Sequence, residues 1–355
     1  MKHTLTLISL YSLLVLPSAL AQAVPVNTNP LVLLDASGDP RPVKTLADWS
    51  KRRPQIPLAM QQVMGSLPDA SHKVPLDLRV EEEKDCGSYV QRKVTIAVED
   101  WDRLPALLLI PKSLKGKTRA MLCLHPTSEH GKAVVCGLGI GPNRNYGQEL
   151  AQRGYIVLAP DYPGLGDYVA ARNELYEHGY ASASMKGIWN HMRCVDLLET
   201  LPEVDPSRIG CIGHSLGGHN TLFLGVFDPR IKVLVSSCGF TSFPKYYGGD
   251  LTGWTHPGYM PTIDTVYGMD PARMPFDFPG ILAALAPRPL FVNAPLQDAN
   301  FDVSGVKDCI DTARSVYALY GAKKKLVAVH PDAEHDFPES VRKQAYAFID
   351  AVLKH

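Results

Sequence analysis

The chain has no surplus charge: 36 Lys and Arg balance 36 Asp and Glu over 355 residues. That balance, with no local basic run, leaves no electrostatic footprint for nucleic acid or for an anionic membrane. Cys-x-x-Cys pairs are missing, and with them the usual spacings of a zinc site or a dithiol redox centre. No apolar run, the N-terminal one included, is long enough to span a bilayer comfortably. Internal repeats, low-complexity tracts and a linker that would split off a second domain are lacking as well. What is present, 45% hydrophobic and 20% charged residues, is the composition of a globular protein able to bury a large core. No feature specifies an oligomeric state.

The N-terminus has the make-up of an export signal. Lys2 and His3 precede an apolar segment from Leu5 to Leu16, and Ala19-Leu20-Ala21 offers small residues for cleavage. We therefore expect a signal peptide over 1–21, with Ala23 a second cleavage position, and a periplasmic or secreted protein with no stable membrane span after cleavage. Seven cysteines are an odd number for an exported chain, so at least one is unpaired within it. The compartment permits one or two disulfides. Cys123 and Cys211 sit in apolar runs and read as small buried hydrophobes.

Residues 22–75 read as an N-terminal arm with helices. Proline-rich 22–44 is expected to be extended, and 45–64 helical in two pieces broken by Pro54 and Pro57, with Met60, Val63 and Met64 facing inward. Period-two alternation at Leu76, Leu78, Val80 and at Val94, Ile96, Val98, followed by Leu104–Ile110, predicts three antiparallel strands. From residue 119 short apolar strands alternate with helical patterns, one of them a helix expected to be capped by Ser184. That rhythm predicts a single α/β domain over 76–355: a mostly parallel sheet with antiparallel N-terminal strands and helices on both faces. Residues 239–275, rich in Gly, Pro and aromatics, interrupt the rhythm as a cap-like insertion. Its Tyr246, Tyr247, Trp254 and Tyr259 are rings suited to stacking on a sugar or aromatic ligand.

The stretch Gly213-His214-Ser215-Leu216-Gly217 organises the rest. It is a Gly-x-Ser-x-Gly motif with an apolar strand before it and a helical run after it, the context in which a serine stands clear of the backbone as a nucleophile. A serine hydroxyl needs a base, and the base needs an acid to hold its tautomer. In the order Ser, Asp, His, the acid follows a strand at Asp298 and the base a later one at His335. Asp302 is better placed to cap the helix starting at Val303, and His330 belongs to a strand end. His214 and His219 are fixed by their chain neighbourhood on the wrong side of the bend or along the following helix. Two backbone N–H groups must meet the oxyanion, and Leu216 and Thr127 are the candidates, since Pro126 has none to offer. His125, Trp254 and Tyr259 are candidate substrate contacts.

Taken together, these residues resemble the α/β-hydrolase superfamily over about 76–353, and within it the dienelactone-hydrolase and acetyl-xylan-esterase group. The resemblance rests on His125-Pro126-Thr127, Asp161-Tyr162-Pro163-Gly164-Leu165-Gly166, Leu201-Pro202-Glu203-Val204-Asp205, Gly213–Gly218, Met274–Pro279 with Ala286-Pro287-Arg288-Pro289, and the loops of Asp298 and His335. It implies hydrolysis through an acyl-enzyme with no cofactor and no metal, on a small-molecule or carbohydrate ester. Ser215 departs from the cysteine nucleophile usual in dienelactone hydrolases. Two other readings stand beside this one: a peptidase of the prolyl-oligopeptidase kind, with the same triad order but too few N-terminal residues here for its propeller, and a non-catalytic binding protein on the same scaffold.

Overall fold

The computed structural model describes residues 28–354 other than 36, 139 and 140. The expected signal segment, 1–21, lies outside the described residues. Eleven strands occur among the described residues: β1 (Val32–Leu34), β2 (Pro40–Pro42), β3 (Arg79–Asp85), β4 (Tyr89–Ala97), β5 (Arg103–Pro111), β6 (Thr118–Leu124), β7 (Ile156–Pro160), β8 (Val204–His214), β9 (Val233–Ser237), β10 (Leu290–Asn293) and β11 (Leu326–Val329). The α-helices are α1 (Leu46–Arg52), α2 (Gln55–Met64), α3 (Tyr146–Gln152), α4 (Ala171–Glu177), α5 (Ala183–Thr200), α6 (Leu216–Phe227), α7 (Thr262–Thr265), α8 (Phe278–Ala284), α9 (Val303–Leu319) and α10 (Glu339–Leu353).

Nine strands form one sheet in the order β11-β10-β9-β8-β6-β7-β5-β4-β3. Strands β6 to β11 pair in parallel, whereas β3, β4 and β5 are antiparallel and β5 lies antiparallel to β7. Residues alternate between the two faces, as a pleated strand requires. Ala120, Leu122 and Leu124 of β6 join one core with α2, α5, α6, α8 and α9, while Met121 and Cys123 join a second core under α3 and α10. This is the α/β-hydrolase architecture.

Four local expectations need correction. The described part of the 22–44 arm is not simply extended: β1 and β2 pair as a small antiparallel sheet. The first sheet strand is β3, shifted to Arg79–Asp85 and exposed along its whole length. An edge strand wet on both faces has no need of apolar alternation, and its charges block further pairing. The cap of α5 is Ser182, whose side chain accepts from the Met185 amide, whereas Ser184 lies inside the helix. Finally, Phe240, Phe243, Tyr246 and Trp254 of the insertion are buried in the main core. The N-terminal helices join that core too: Trp49, Ile56, Met60, Val63 and Met64 are buried within it. All seven cysteines are free thiols. No helix among the described residues is long and apolar enough to cross a membrane.

Candidate active site

Four loops leave the carboxyl ends of parallel strands β6, β8, β10 and β11 and meet at one rim of the sheet. Strand β8 turns into α6 at Ser215, which is held at φ 56°. A non-glycine residue in that region is strained by about 1–3 kcal/mol, and the bend lifts its Oγ off the sheet. The turn depends on two glycines. A Cβ on Gly213 would run into the Gly217 backbone, and one on Gly217 into the Leu124 carbonyl. The Ser215 carbonyl accepts from the Gly218 and His219 amides, which starts the helix and leaves its first N–H groups facing the rim.

His335, on the loop after β11, sits between the other two polar groups. Its Nε2 is 2.9 Å from Ser215 Oγ, and its Nδ1 is 2.9 and 3.0 Å from the Asp298 carboxylate oxygens. Asp298, after β10, also accepts from the Asn300 and Phe301 amides. Burial pushes its carboxyl pKa up, but the His335 hydrogen bond and those amides outweigh burial and hold it below the usual range. Asp298 is therefore ionised at neutral pH, as an acceptor of the Nδ1 proton must be. Asp302 instead caps α9 through the Ser304 amide. His330 Nδ1 is tied to the Ala294 carbonyl.

His214 lies beside the site without serving as a base. Its ring stands 4.9 Å from that of His335 and its Nδ1 is bonded to Ser237 Oγ. Burial pushes its pKa well down, so it is a neutral neighbour. His219, buried behind Ser215, is pushed down to about 3 for the same reason. The donor atoms of Cys238, Asp298 and His335 cluster within 4.8 Å of one another. Both His335 nitrogens are already engaged by Ser215 and Asp298, so this cluster offers no imidazole free to ligate an ion.

The structure brings Thr127 and Leu216 to the same rim, and their amides donate to no acceptor among the described residues. Thr127 Oγ1 is 2.8 Å from the hydroxyl of half-buried Tyr259. His125 is corrected as a substrate contact. It is buried, its Nδ1 donates to the Pro126 carbonyl at 2.7 Å, and its Nε2 accepts from the Tyr162 amide at 3.0 Å. Both nitrogens are spent on backbone. The Pro126 carbonyl belongs to the same peptide plane as the Thr127 N–H, so holding one end fixes where the other points. Trp254 is corrected as well: it is 3% exposed, packed against His219, Phe243, Tyr246, Phe278 and Phe301. A ring enclosed on that many sides presents no face to a ligand.

Several supporting residues escaped the sequence reading. Arg144 donates to the His335 carbonyl at 3.1 Å and to the Asp336 carboxylate at 2.5 Å, and Asn143 donates to the other Asp336 oxygen. Asn293, the last residue of β10, donates to the Asp336 carbonyl and to Ser237 Oγ. These bonds pin the loop that carries the imidazole. A buried asparagine closing an apolar strand was a visible signal; Arg144, nearly 200 residues from its partner, had none.

With this geometry in view, the comparisons with known proteins are consistent. The chain is 25% identical over 303 residues to the YtaP protein of Bacillus subtilis (strain 168), covering 82% of this chain and 97% of that one. It is 21% identical over 341 residues to carbohydrate esterase MZ0003 of an unknown prokaryotic organism, covering 82% and 78%. A glucuronoyl esterase structure from Solibacter usitatus superimposes with a TM-score of 0.71 at 23% identity, covering 93% of this chain and 99% of that one, and so shares the fold. The family model that matches, over residues 144–355, takes in the Ser215 turn and the loops of Asp298 and His335, and by that match the chain belongs to the prolyl oligopeptidase family.

Proposed function

We propose that the protein is an exported serine hydrolase that cleaves carboxylic esters, with esterified carbohydrates as its substrate class. The observation that carries this reading is the unbroken hydrogen-bond run from Ser215 Oγ through His335 to Asp298. Ser215 Oγ attacks the ester carbonyl and its proton passes to His335 Nε2. Asp298 stabilises the imidazolium and keeps Nδ1 protonated. The Leu216 and Thr127 amides receive the oxyanion. Collapse expels the alcohol, which takes the proton from Nε2, and an acyl group remains on Ser215. Water then attacks the acyl carbon with His335 as base, releasing the acid and restoring the serine. The carbohydrate esterase among the relatives supports the substrate class.

The test is direct. An organophosphonate is expected to label Ser215, and Ser215→Ala is expected to lower turnover of p-nitrophenyl acetate by about 10⁴-fold or more. Retained turnover in a folded Ser215→Ala protein overturns the scheme. The family relationship favours a peptidase as the second reading. Amino-acyl anilides cleaved faster than acetylated sugars, glucuronate esters and simple acetates would establish that reading instead.

A further inference from the structure

The insertion and the Asp298 loop line an open cavity of about 440 Å³, whose walls include Lys245, Tyr247, Leu296, Gln297, Asp298 and Asn300. We propose that this cavity is a subsite for a neutral sugar ring, with Tyr247 as its stacking platform. The proposal deepens the ester-hydrolase reading and rests on it for the position of the scissile bond.

Tyr247 differs from the other rings of the insertion. It is 61% exposed, where Trp254 is 3% and Tyr246 7% exposed. It is also held in place rather than loose. Its hydroxyl bonds Asn300 Oδ1 at 3.2 Å, and its ring meets Tyr246 edge-on with centroids 4.8 Å apart at 88°. Its backbone has φ 45°, followed by Gly248 at 70° and Gly249 at 100°, so three successive left-handed residues turn the ring outward. A strained, fixed and exposed aromatic is poorly explained by packing alone.

The surroundings specify the ligand. A sugar offers an apolar C–H face to an aromatic ring and a rim of hydroxyls to polar side chains. Asn300 Nδ2 donates to no acceptor among the described residues, and Gln297 stands on the same wall. Lys245 is neutralised by Asp308 at 2.6 Å, so the cavity has no surplus cation to favour an acidic sugar. Distance then relates the subsite to the reacting centre. Rings run from His335 to Phe301 at 5.9 Å, to Tyr246 at 5.9 Å and to Tyr247 at 4.8 Å. A small acetate bound at Ser215 stops short of Tyr247, whereas an oligosaccharide ester extends to it.

The experiment compares Tyr247→Ala and Tyr247→Phe on two substrates, p-nitrophenyl acetate and an acetylated xylo-oligosaccharide. Tyr247→Ala is expected to raise KM about tenfold on the oligosaccharide only, and Tyr247→Phe, which keeps the ring, to restore most of the loss. In a Ser215→Ala background, calorimetry with unesterified xylo-oligosaccharide is expected to show binding that Tyr247→Ala weakens by a similar factor. Equal losses on both substrates, a Tyr247 dependence seen only with amino-acyl anilides, or sugar binding indifferent to Tyr247 would each overturn the subsite. Those results leave the ester-hydrolase reading standing, since that reading fails only if Ser215→Ala still turns over p-nitrophenyl acetate.

Discussion

In the proposed scheme His125 acts on the reaction without touching it. Its two nitrogens fix the Pro126 carbonyl and the Tyr162 amide, so the Thr127 N–H is aimed by a neighbour rather than by a helix or strand. Replacing His125 with Phe keeps the bulk and removes both bonds. We expect kcat on p-nitrophenyl acetate to fall about 10- to 100-fold with KM little changed, less than the full loss of an oxyanion donor. Steady-state kinetics check this, and a parallel rise in KM would show that His125 serves binding instead. Ser215 depends on its surroundings in the same way: its φ of 56° persists because the glycines at 213 and 217 let two backbones approach.

Helix α5 does more than cover the sheet. Lys186 within it is fully buried and reaches Glu99 at 2.5 Å and Asp102 at 2.6 Å, both on the turn between β4 and β5. Tyr168 and Tyr180 donate to the same two carboxylates, and Trp189 donates to the Val98 carbonyl. The turn is thereby tied to the helix beside the β7 end of the catalytic rim. Lys186→Met would leave two buried carboxylates facing each other without a cation. We expect a loss of about 3–5 kcal/mol, measurable by urea unfolding. A variant as stable as the parent would show that the buried ammonium contributes nothing net to the fold. The helices themselves were legible. The inward face of α2, with Met60, Val63 and Met64, follows the 3.6-residue period, and Pro54 marks the break from α1, whereas Pro57 is accommodated in the first turn of α2, where its N–H has no helical partner to lose. Strand β3 was not legible at its true position, because a solvated edge leaves no hydrophobic period to read.

At the scale of the molecule, the N-terminal helices are part of the core rather than an appendage. Trp49, Ile56, Met60, Val63 and Met64 are buried in the cluster that includes α5, α6 and α8. Ser182 Oγ and Thr262 Oγ1 donate to the Met64 and Val63 carbonyls, and Arg53 donates to Ala284. Deleting residues 28–75 would uncover a contiguous apolar surface. We expect such a protein to aggregate or bind a hydrophobic dye strongly, as gel filtration and fluorescence would show; a monomeric, dye-free product would mean the sheet completes its core without them.

The strand–helix alternation from β6 onward and the strand ends that bring Ser215, Asp298 and His335 together were readable from residue order. Each is a local pattern: a period, a Gly-x-Ser-x-Gly bend, a polar loop after an apolar run. The tertiary structure decided which aromatics face solvent, since Trp254 and Tyr247 belong to one equally aromatic stretch and only packing against α6 and α8 buries the first. It also decided that His125 is occupied with backbone and that Arg144 braces the His335 loop. Contacts between residues far apart in sequence leave no periodic trace, because they exist only once the sheet has brought the strand ends together.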